Sequence, residues 1–425
     1  MSGSALVVGG GLAGLTAAFR LQCAGLRVTL IDARAGLDDG AGEDLALAPL
    51  DAALPASAPA LHGLACELGM AKQLRRAALA RVELHPLADG MRALDSARHV
   101  TGASGPLAWL RLNRLRRLMR WYGPWLEPDA PERGERLDDR SVAAWCRLYL
   151  GESAARGFGW LLAAHYGIDA AQASRLLGLL LLDPLGAPRI AQPFGVHELR
   201  RALAARLAHV RLGERALRVA PEARVWLESG EELAADVAVL ALPAAEIRTV
   251  CDALTPAERI SLDRMGTSPR LQLAVRVRGV AARPSPVSWI DSPALAGVVD
   301  CAALGGETQA EERTLVFLAQ PRFAEASLEC SDAELAEELL SAAEPHLPGL
   351  GAACLARRVW RLTVPRFDVG HYRAVTRLRA EAPRVQGRAW VQGGDDLVAP
   401  HAEGAVVAGT RAAEEALLKL RAPRP

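Results

Sequence analysis

Aromatic residues make up only 4% of the sequence, so any stretch where they gather is informative. Charge of a single sign is also missing. Lys and Arg number 50 against 49 Asp and Glu, a net charge of +1. That balance gives no electrostatic footprint for nucleic acid or for an acidic partner. Cysteines are few and scattered (Cys23, Cys66, Cys146, Cys251, Cys301, Cys330, Cys354), and no two form a C-x-x-C pair. This argues against a metal site or a disulfide framework and for a reducing compartment. Long apolar runs are absent too. The nearest, Leu176 to Leu182, is far short of the ~18 residues that cross a bilayer. A first strand starting at residue 4 or 5 leaves no room for a signal peptide. The expectation is a soluble cytoplasmic protein, with peripheral membrane association left open and oligomeric state unknown.

What is present begins at once. Ala5 to Val8 reads as a buried parallel strand that runs into Gly9-x-Gly11-x-x-Gly14 and a small-residue helix from about Leu12 to Cys23. In such a unit the first glycine permits the turn, the second lets backbone approach a pyrophosphate, and the third lets helix pack on strand. The helix N-terminus then offers free N–H groups and a positive dipole end. Leu26 to Asp32 reads as the second strand, and its terminal carboxylate is placed to accept from an adenosine ribose. The same triplet and acid suit NAD as well as FAD, and glycines serving packing alone would look alike.

At 425 residues two interwoven domains are the natural prior. Ala33 to Asp44 is an acidic, glycine-rich loop, Ala58 to Met70 a helix ending at Gly69, and Val82 to Leu94 a hairpin turning at Ala88-Asp89-Gly90. Leu107 to Trp125 is an arginine-rich helix, which suits either an anionic membrane or a solvated face with snorkelling stems. Pro128 to Arg140 reads as a loop. Ser141 to Leu182 reads as helical throughout and holds Trp145, Tyr149, Phe158, Trp160, His165 and Tyr166, either a subdomain core or the wall of an apolar cavity. A helix from Gly195 to about Ala208 follows, then β segments at Val210–Val219, Ala223–Leu227 and Ala235–Leu242, with Ser229-Gly230 as a turn. Arg270–Val277, Thr314–Ala319 and Ala353–Leu362 are further strands, and Asp332–Ala343 is a helix capped by Ser331.

The second strong motif closes the chain: strand Ala389 to Gln392, then Gly393-Gly394-Asp395, then a helix from Glu403-Gly404-Ala405. Together the two ends resemble the FAD-dependent amine oxidase superfamily, which includes protoporphyrinogen oxidases and phytoene desaturases. Gly195 to Leu199 with Leu203, Val210 to Val219, and Glu231 to Pro243 are similar to its intermediate segments. Trp360 with Val364 to His371 resembles the protoporphyrinogen oxidase branch.

The resemblance implies an α/β fold: a Rossmann-type FAD-binding domain with an interleaved substrate domain of mixed sheet plus helical cap. The FAD-binding domain would comprise 1–45, 196–250 and 385–425, and the substrate domain 46–195 and 251–384, with the cap at about 97–185. The implied cofactor is FAD, bound by Gly9, Gly11, Leu12, Ala13, Gly14, Asp32, Ala33, Arg34, Ala216, Gly394, Asp395, Gly404 and Ala405. Asp395 would meet a ribityl hydroxyl, and the helix near Gly404 the N1/O2 edge of the flavin.

The implied activity is dehydrogenation of a bulky hydrophobic substrate, porphyrinogen- or isoprenoid-like, by hydride transfer to flavin, with oxygen or a quinone reoxidising it. No catalytic acid or base stands out; His165 and His371 are the titratable candidates by segment. Trp360 and Phe367 are expected beside the substrate cavity. One departure is visible. The stretch Arg34 to Gly42 lacks the family's Gly-Gly-Arg, and the acids Asp38, Asp39, Glu43 and Asp44 lie in and just after it. This keeps a second reading open, a non-catalytic partner or scaffold with weak or no FAD binding. Gly394-Asp395 has no role in a third, NAD-dependent reading.

Overall fold

Ala5–Val8 and Val28–Ile31 carry almost no polar side chains, as strands covered on both faces require. In the computed structural model they lie side by side at the centre of a parallel sheet. The structure describes residues 3–37, 58–70, 76–77, 82–85, 93–94, 108–181, 190–191, 193–280, 287–290, 292–304 and 311–421. Its strands are β1 Ser4–Val8, β2 Arg27–Asp32, β3 Arg76–Ala77, β4 Val82–His85, β5 Ala93–Leu94, β6 Ile190–Ala191, β7 His209–Leu212, β8 Ala216–Val219 and β9 Arg224–Leu227. They continue with β10 Glu232–Ala234, β11 Val237–Leu240, β12 Thr267–Arg278, β13 Val287–Ile290, β14 Leu295–Asp300, β15 Glu312–Ala319, β16 Cys354–Pro365 and β17 Trp390–Gln392. The longer helices are α1 Leu12–Cys23, α2 Pro59–Glu67, α3 Ala108–Tyr122, α4 Val142–Tyr149, α5 Glu152–Tyr166, α6 Arg175–Leu181 and α7 Pro193–Arg206. After them come α8 Ala244–Val250, α9 Pro256–Asp263, α10 Asp332–Ala343, α11 His371–Glu381 and α12 Ala402–Arg421.

The parallel sheet runs β17-β11-β1-β2-β7, with Val7 opposite both Leu30 and Val239. Helices α1 and α12 cross its face in backbone contact. A Cβ at Gly409 would stand 2.2 Å from the carbonyl oxygen of Ala13. Leu15, Leu30 and Ile31 in this layer are wholly buried, each contributing about 1.5–3 kcal/mol of apolar burial. A second sheet runs β16-β12-β15-β14-β13-β4-β5, antiparallel in every pairing but β13 with β4. One of its faces packs against α4, α5 and α6. Trp145, Phe158, Tyr166, Trp289, Trp360 and Phe367 meet there in one buried cluster. The opposite face packs on α10, which starts with the reciprocal hydrogen bonds of Ser331 and Glu334 that its sequence leads one to expect.

Two ion pairs are buried in the core, one between distant segments and one between neighbouring strands. Arg388, between α11 and β17, holds Glu258 of α9 with both ends of its fork and donates to the Ala253 carbonyl at 2.8 Å. Arg313 holds Asp300 at 2.8 Å, with side-chain exposures of 2% and 0%. Such pairs stabilise only while both partners are present, because either one left alone is a buried charge.

Three sequence expectations are corrected. Pro128–Arg140 is not a plain loop: Pro131–Leu137 forms a 3-10 turn because Pro131, Gly134 and Leu137 are buried. Val210–Val219 is not one strand. It breaks at Gly213, whose φ of +75° suits glycine, and β7 and β8 join different sheets. Ser141–Leu182 is three helices rather than one run, interrupted at Gly151 and at Gly167–Ser174. The hairpin register stands, with Val82 opposite Leu94, while its turn at 88–90, the acidic stretch 38–44 and Leu182 lie outside the described residues.

Candidate flavin and substrate site

The carboxyl edge of the parallel sheet gathers residues from both ends of the chain. Gly9 follows β1 with φ +108°, and a Cβ there would meet the Ala241 carbonyl oxygen at 2.3 Å, so only glycine makes this turn. Leu12, Ala13 and Gly14 form the buried first turn of α1. A Cβ on Gly14 would lie 1.9 Å from the Gly9 oxygen, so this glycine sets helix-to-strand contact. Gly11 differs: it is the N-cap residue of α1 in extended conformation, and its missing Cβ would meet nothing within 4 Å. Open space in front of a helix N-terminus is the shape a pyrophosphate needs.

Asp32 ends β2 and is buried. Its carboxylate accepts from the Gly10 N–H at 2.5 Å and the Arg34 N–H at 2.8 Å, and from the Arg34 guanidinium at 2.9 and 3.1 Å. Burial pushes this carboxyl up, but Arg34 and the two backbone donors outweigh it and hold the group below its ordinary value. Ala33 and Arg34 are exposed, and the β7–β8 turn closes over them. Gly213 N–H donates to the Arg34 carbonyl and Glu214 N–H to that of Asp32, both at 2.8 Å. Ala216 starts β8 directly after that turn.

On the other side of β1, Gly394 follows β17, and a Cβ there would be 3.0 Å from the Leu242 carbonyl oxygen beyond β11. Asp395, half-buried, opens a short 3-10 turn, and burial pushes its carboxyl up to about 6. Its neighbour Asp396, buried, accepts from the Ala244 N–H at 3.0 Å; burial and then the Asp395 charge push it up to about 7. Gly404 and Ala405 sit buried in the first turn of α12, where the Gly404 N–H donates to His401 Nδ1 at 3.0 Å. Glu403 is turned away and caps α2, accepting from Ala60 and Leu61 N–H at 2.9 and 2.7 Å.

Next to that first turn is a group of rings of which the sequence singled out two, His165 and Tyr166, and left out Trp289 and His401. Tyr166 at the end of α5 lies 6.5 Å from His401, and His165 lies 6.4 Å from Tyr166 and 6.3 Å from Trp289 of β13. His165 Nε2, the Tyr166 hydroxyl and Trp289 Nε1 are buried without a hydrogen-bond partner among the described residues, an arrangement proteins rarely keep unless a ligand or water completes it. Burial moves His165 down to about 3, with the Arg270 charge adding to the shift; His401 goes down to about 4, and Tyr166 is pushed up. Arg270 of β12, itself buried, donates to the His165 carbonyl at 3.3 Å. The cluster is therefore made of uncharged rings beside one buried cation. His165 and Tyr166 belong to the aromatic stretch that the sequence marks; Trp289 shares no spacing with them, and His401, three residues before Gly404, could have been suspected from the closing motif.

His371 has a different place. It is buried against Phe367 at 4.4 Å, its Nε2 bonds the Asp396 carbonyl at 2.7 Å, and burial lowers it to about 4. It holds the loop after β17. Trp360 and Phe367, at 5% and 0% exposure, are core residues. A surface cleft of about 450 Å³ lies instead along the outer side of α5. Arg156, Trp160, Asp169, Pro293, Pro321 and Arg322 line it, and it shares no lining residue with the glycine loop.

The residues at the sheet edge fit a dinucleotide: a cradle that only glycine leaves open, a buried carboxylate beside it, and a second helix N-terminus facing the same edge. Comparison with known proteins bears on which one. Residues 7–37 match the model of the NAD(P)-binding Rossmann-like domain, and residues 66–417 match that of the flavin containing amine oxidoreductases. No curated protein matches the chain. Among solved structures, putrescine oxidase bound to putrescine is similar at TM-score 0.74 and 19% identity, covering 98% of this chain and 99% of that one. Cyclohexylamine oxidase from Brevibacterium oxydans reaches 0.72 at 17% identity, covering 99% and 100%. An Exiguobacterium protein assigned as a protoporphyrinogen oxidase reaches 0.71 at 17% identity, again covering 99% and 100%. At these identities the likeness speaks for the fold, and the cofactor that goes with the matched family is FAD. The chain belongs to the flavin containing amine oxidoreductase family.

Proposed function

We propose that this protein uses FAD to dehydrogenate a bulky, uncharged, apolar substrate, porphyrinogen- or isoprenoid-like. When bound, FAD supplies the acceptor for a hydride leaving a substrate carbon. The chain's own contribution is binding and exclusion. The Gly9–Gly14 turn and the α1 N-terminus face the pyrophosphate, Asp32 with Ala33 and Arg34 the adenosine ribose, and the turn ending at Ala216 the adenine side. Gly394 and Asp395 meet the ribityl chain, and Gly404 and Ala405 bring the α12 dipole to the flavin's electron-rich edge. His165, Tyr166, Trp289 and His401 orient the substrate by hydrogen bonds and ring contact without carrying charge.

One observation carries the substrate class. The ring cluster is neutral and has the buried Arg270 guanidinium beside it. Neutral rings give a cationic amine no counter-charge, so it is a poor occupant. The test is anaerobic reduction of the bound flavin, followed at roughly 450 nm, with a porphyrinogen, an isoprenoid, putrescine and cyclohexylamine. Bleaching by one of the apolar compounds and not by the amines is expected. Equal or faster bleaching by either amine sinks the reading.

A further inference from the structure

Helix α3 is docked by one side and bare on the other. Leu115, Met119 and Tyr122 are buried. Leu110, Arg114, Arg117 and Trp121, at i, i+4, i+7 and i+11, run in a single line along the outer side. Leu110 is 51% and Trp121 65% exposed. Arg116 and Arg120 flank that line, also exposed, and the helix contains no acidic residue.

Arginines elsewhere commonly fold onto carboxylates, as Arg20 does on Glu67, Arg218 on Asp252 and Arg361 on Asp332. Arg116, Arg117 and Arg120 have no ion pair or hydrogen bond among the described residues. The patch extends at both ends. Arg114 lies 5.7 Å over the Tyr149 ring, which brings in the end of α4 with Leu148, 59% exposed. Trp121 meets Trp125 edge-on at 6.2 Å.

A face that merely solvates a helix needs arginines but not a protruding Trp and two protruding leucines. Guanidinium groups with no partner among the described residues, mixed with large apolar side chains, match a lipid headgroup layer, where cations meet anionic lipid and Trp sits at the acyl boundary. We propose that the α3 face, with Leu148 and Trp125, docks the protein peripherally on an anionic membrane surface. A nucleic acid would satisfy the arginines but offers no apolar layer for Leu110 and Leu148. No helix among the described residues is long and apolar enough to cross a membrane, so the contact is with one leaflet. The inference stands apart from the substrate assignment, although an apolar substrate would partition into the same bilayer.

The test is flotation of the full-length protein with vesicles of phosphatidylcholine alone and with vesicles about one-third phosphatidylserine, repeated with rising salt. Binding only to the anionic vesicles, and its loss at high salt, is expected. Each arginine near an anionic surface is worth about fivefold in partitioning. The Arg116→Gln/Arg117→Gln/Arg120→Gln variant should therefore bind roughly a hundredfold more weakly. Its melting temperature and its FAD affinity should not change. Trp121→Ala should weaken binding and leave the salt dependence in place. The proposal is overturned if neither vesicle binds, if both bind equally, if the triple variant binds like the parent, or if a DNA or RNA oligonucleotide displaces the protein from the vesicles.

Discussion

Gly11→Val isolates the dinucleotide site from the fold. Its backbone is already extended (φ −65°, ψ 172°), and a Cβ there would meet no protein atom within 4 Å. The structural cost is that of a poorer N-cap, about 1 kcal/mol. Restricting the unfolded chain offsets about 0.4–1 kcal/mol of that. The apo form should therefore melt within a few degrees of the parent. Binding is another matter, because the new side chain fills the space left for the pyrophosphate. Losing two charge-assisted hydrogen bonds of about 1.5–3 kcal/mol each amounts to a roughly 10²- to 10⁴-fold weaker Kd. The measurement is fluorescence titration of apo protein with FAD, paired with a thermal melt of the same sample. Gly14→Ala is the contrast: its Cβ would sit 1.9 Å from the Gly9 oxygen, so fold and binding should fail together. Parental FAD affinity in Gly11→Val would refute the assignment, as would an apo form that melts as low as Gly14→Ala.

Arg388→Met should cost about 3–5 kcal/mol in urea unfolding by leaving Glu258 buried without its counter-ion, and Arg388→Met/Glu258→Gln, which keeps an acceptor for the Thr255 N–H, should recover most of it; a double variant no better than the single would show that the pair is not the cause. Asp396 has an ordinary value of 3.8 and a folded value of about 7, so the folded state holds its proton more tightly. Its contribution is fully present below pH ~4 and lost as pH rises through ~7. Asp396→Asn, whose Oδ1 can still accept from the Ala244 N–H, should melt like the parent at pH 4 and a few degrees higher at pH 8. A lower melting temperature at pH 8 would reverse the sign and reject the account.

Legibility followed the range of the interactions involved. β1, the glycine turn, α1 and β2 are recognisable because every cause is local: an apolar run, a φ that only glycine takes, a carboxylate at the strand end. Ser331 marks the start of α10 for the same reason. The strands β13 and β14 escaped. Trp289 and Gly297 pair across them, yet both strands are buried on both faces, and such runs show no alternation. Helix α11 escaped because three arginines interrupt its apolar face, and that face is decided by packing against α9 and the Pro131–Leu137 turn rather than by periodicity. The ring cluster was half legible: His165 and Tyr166 stand in the aromatic stretch that the sequence marks, Trp289 and His401 do not. Its members come from α5, β13 and the start of α12, and only the folded sheets bring them together.

The contact between α1 and α12 sets the order in which this protein can be assembled during synthesis. β1 finds β2 within some twenty residues, but its other neighbour is β11, with Ser4 N–H reaching Asp236 at 2.9 Å. The far edge waits for β17, and the roof over the glycine turn waits for Gly409 to reach Ala13. At about 5–20 residues per second, that is roughly 20–80 s after the first strand leaves the ribosome. Through that interval an apolar strand with an unpaired edge is exposed to mispairing. The glycine motif is thus made first and finished last, and the nascent chain is a natural client for chaperones until α12 docks.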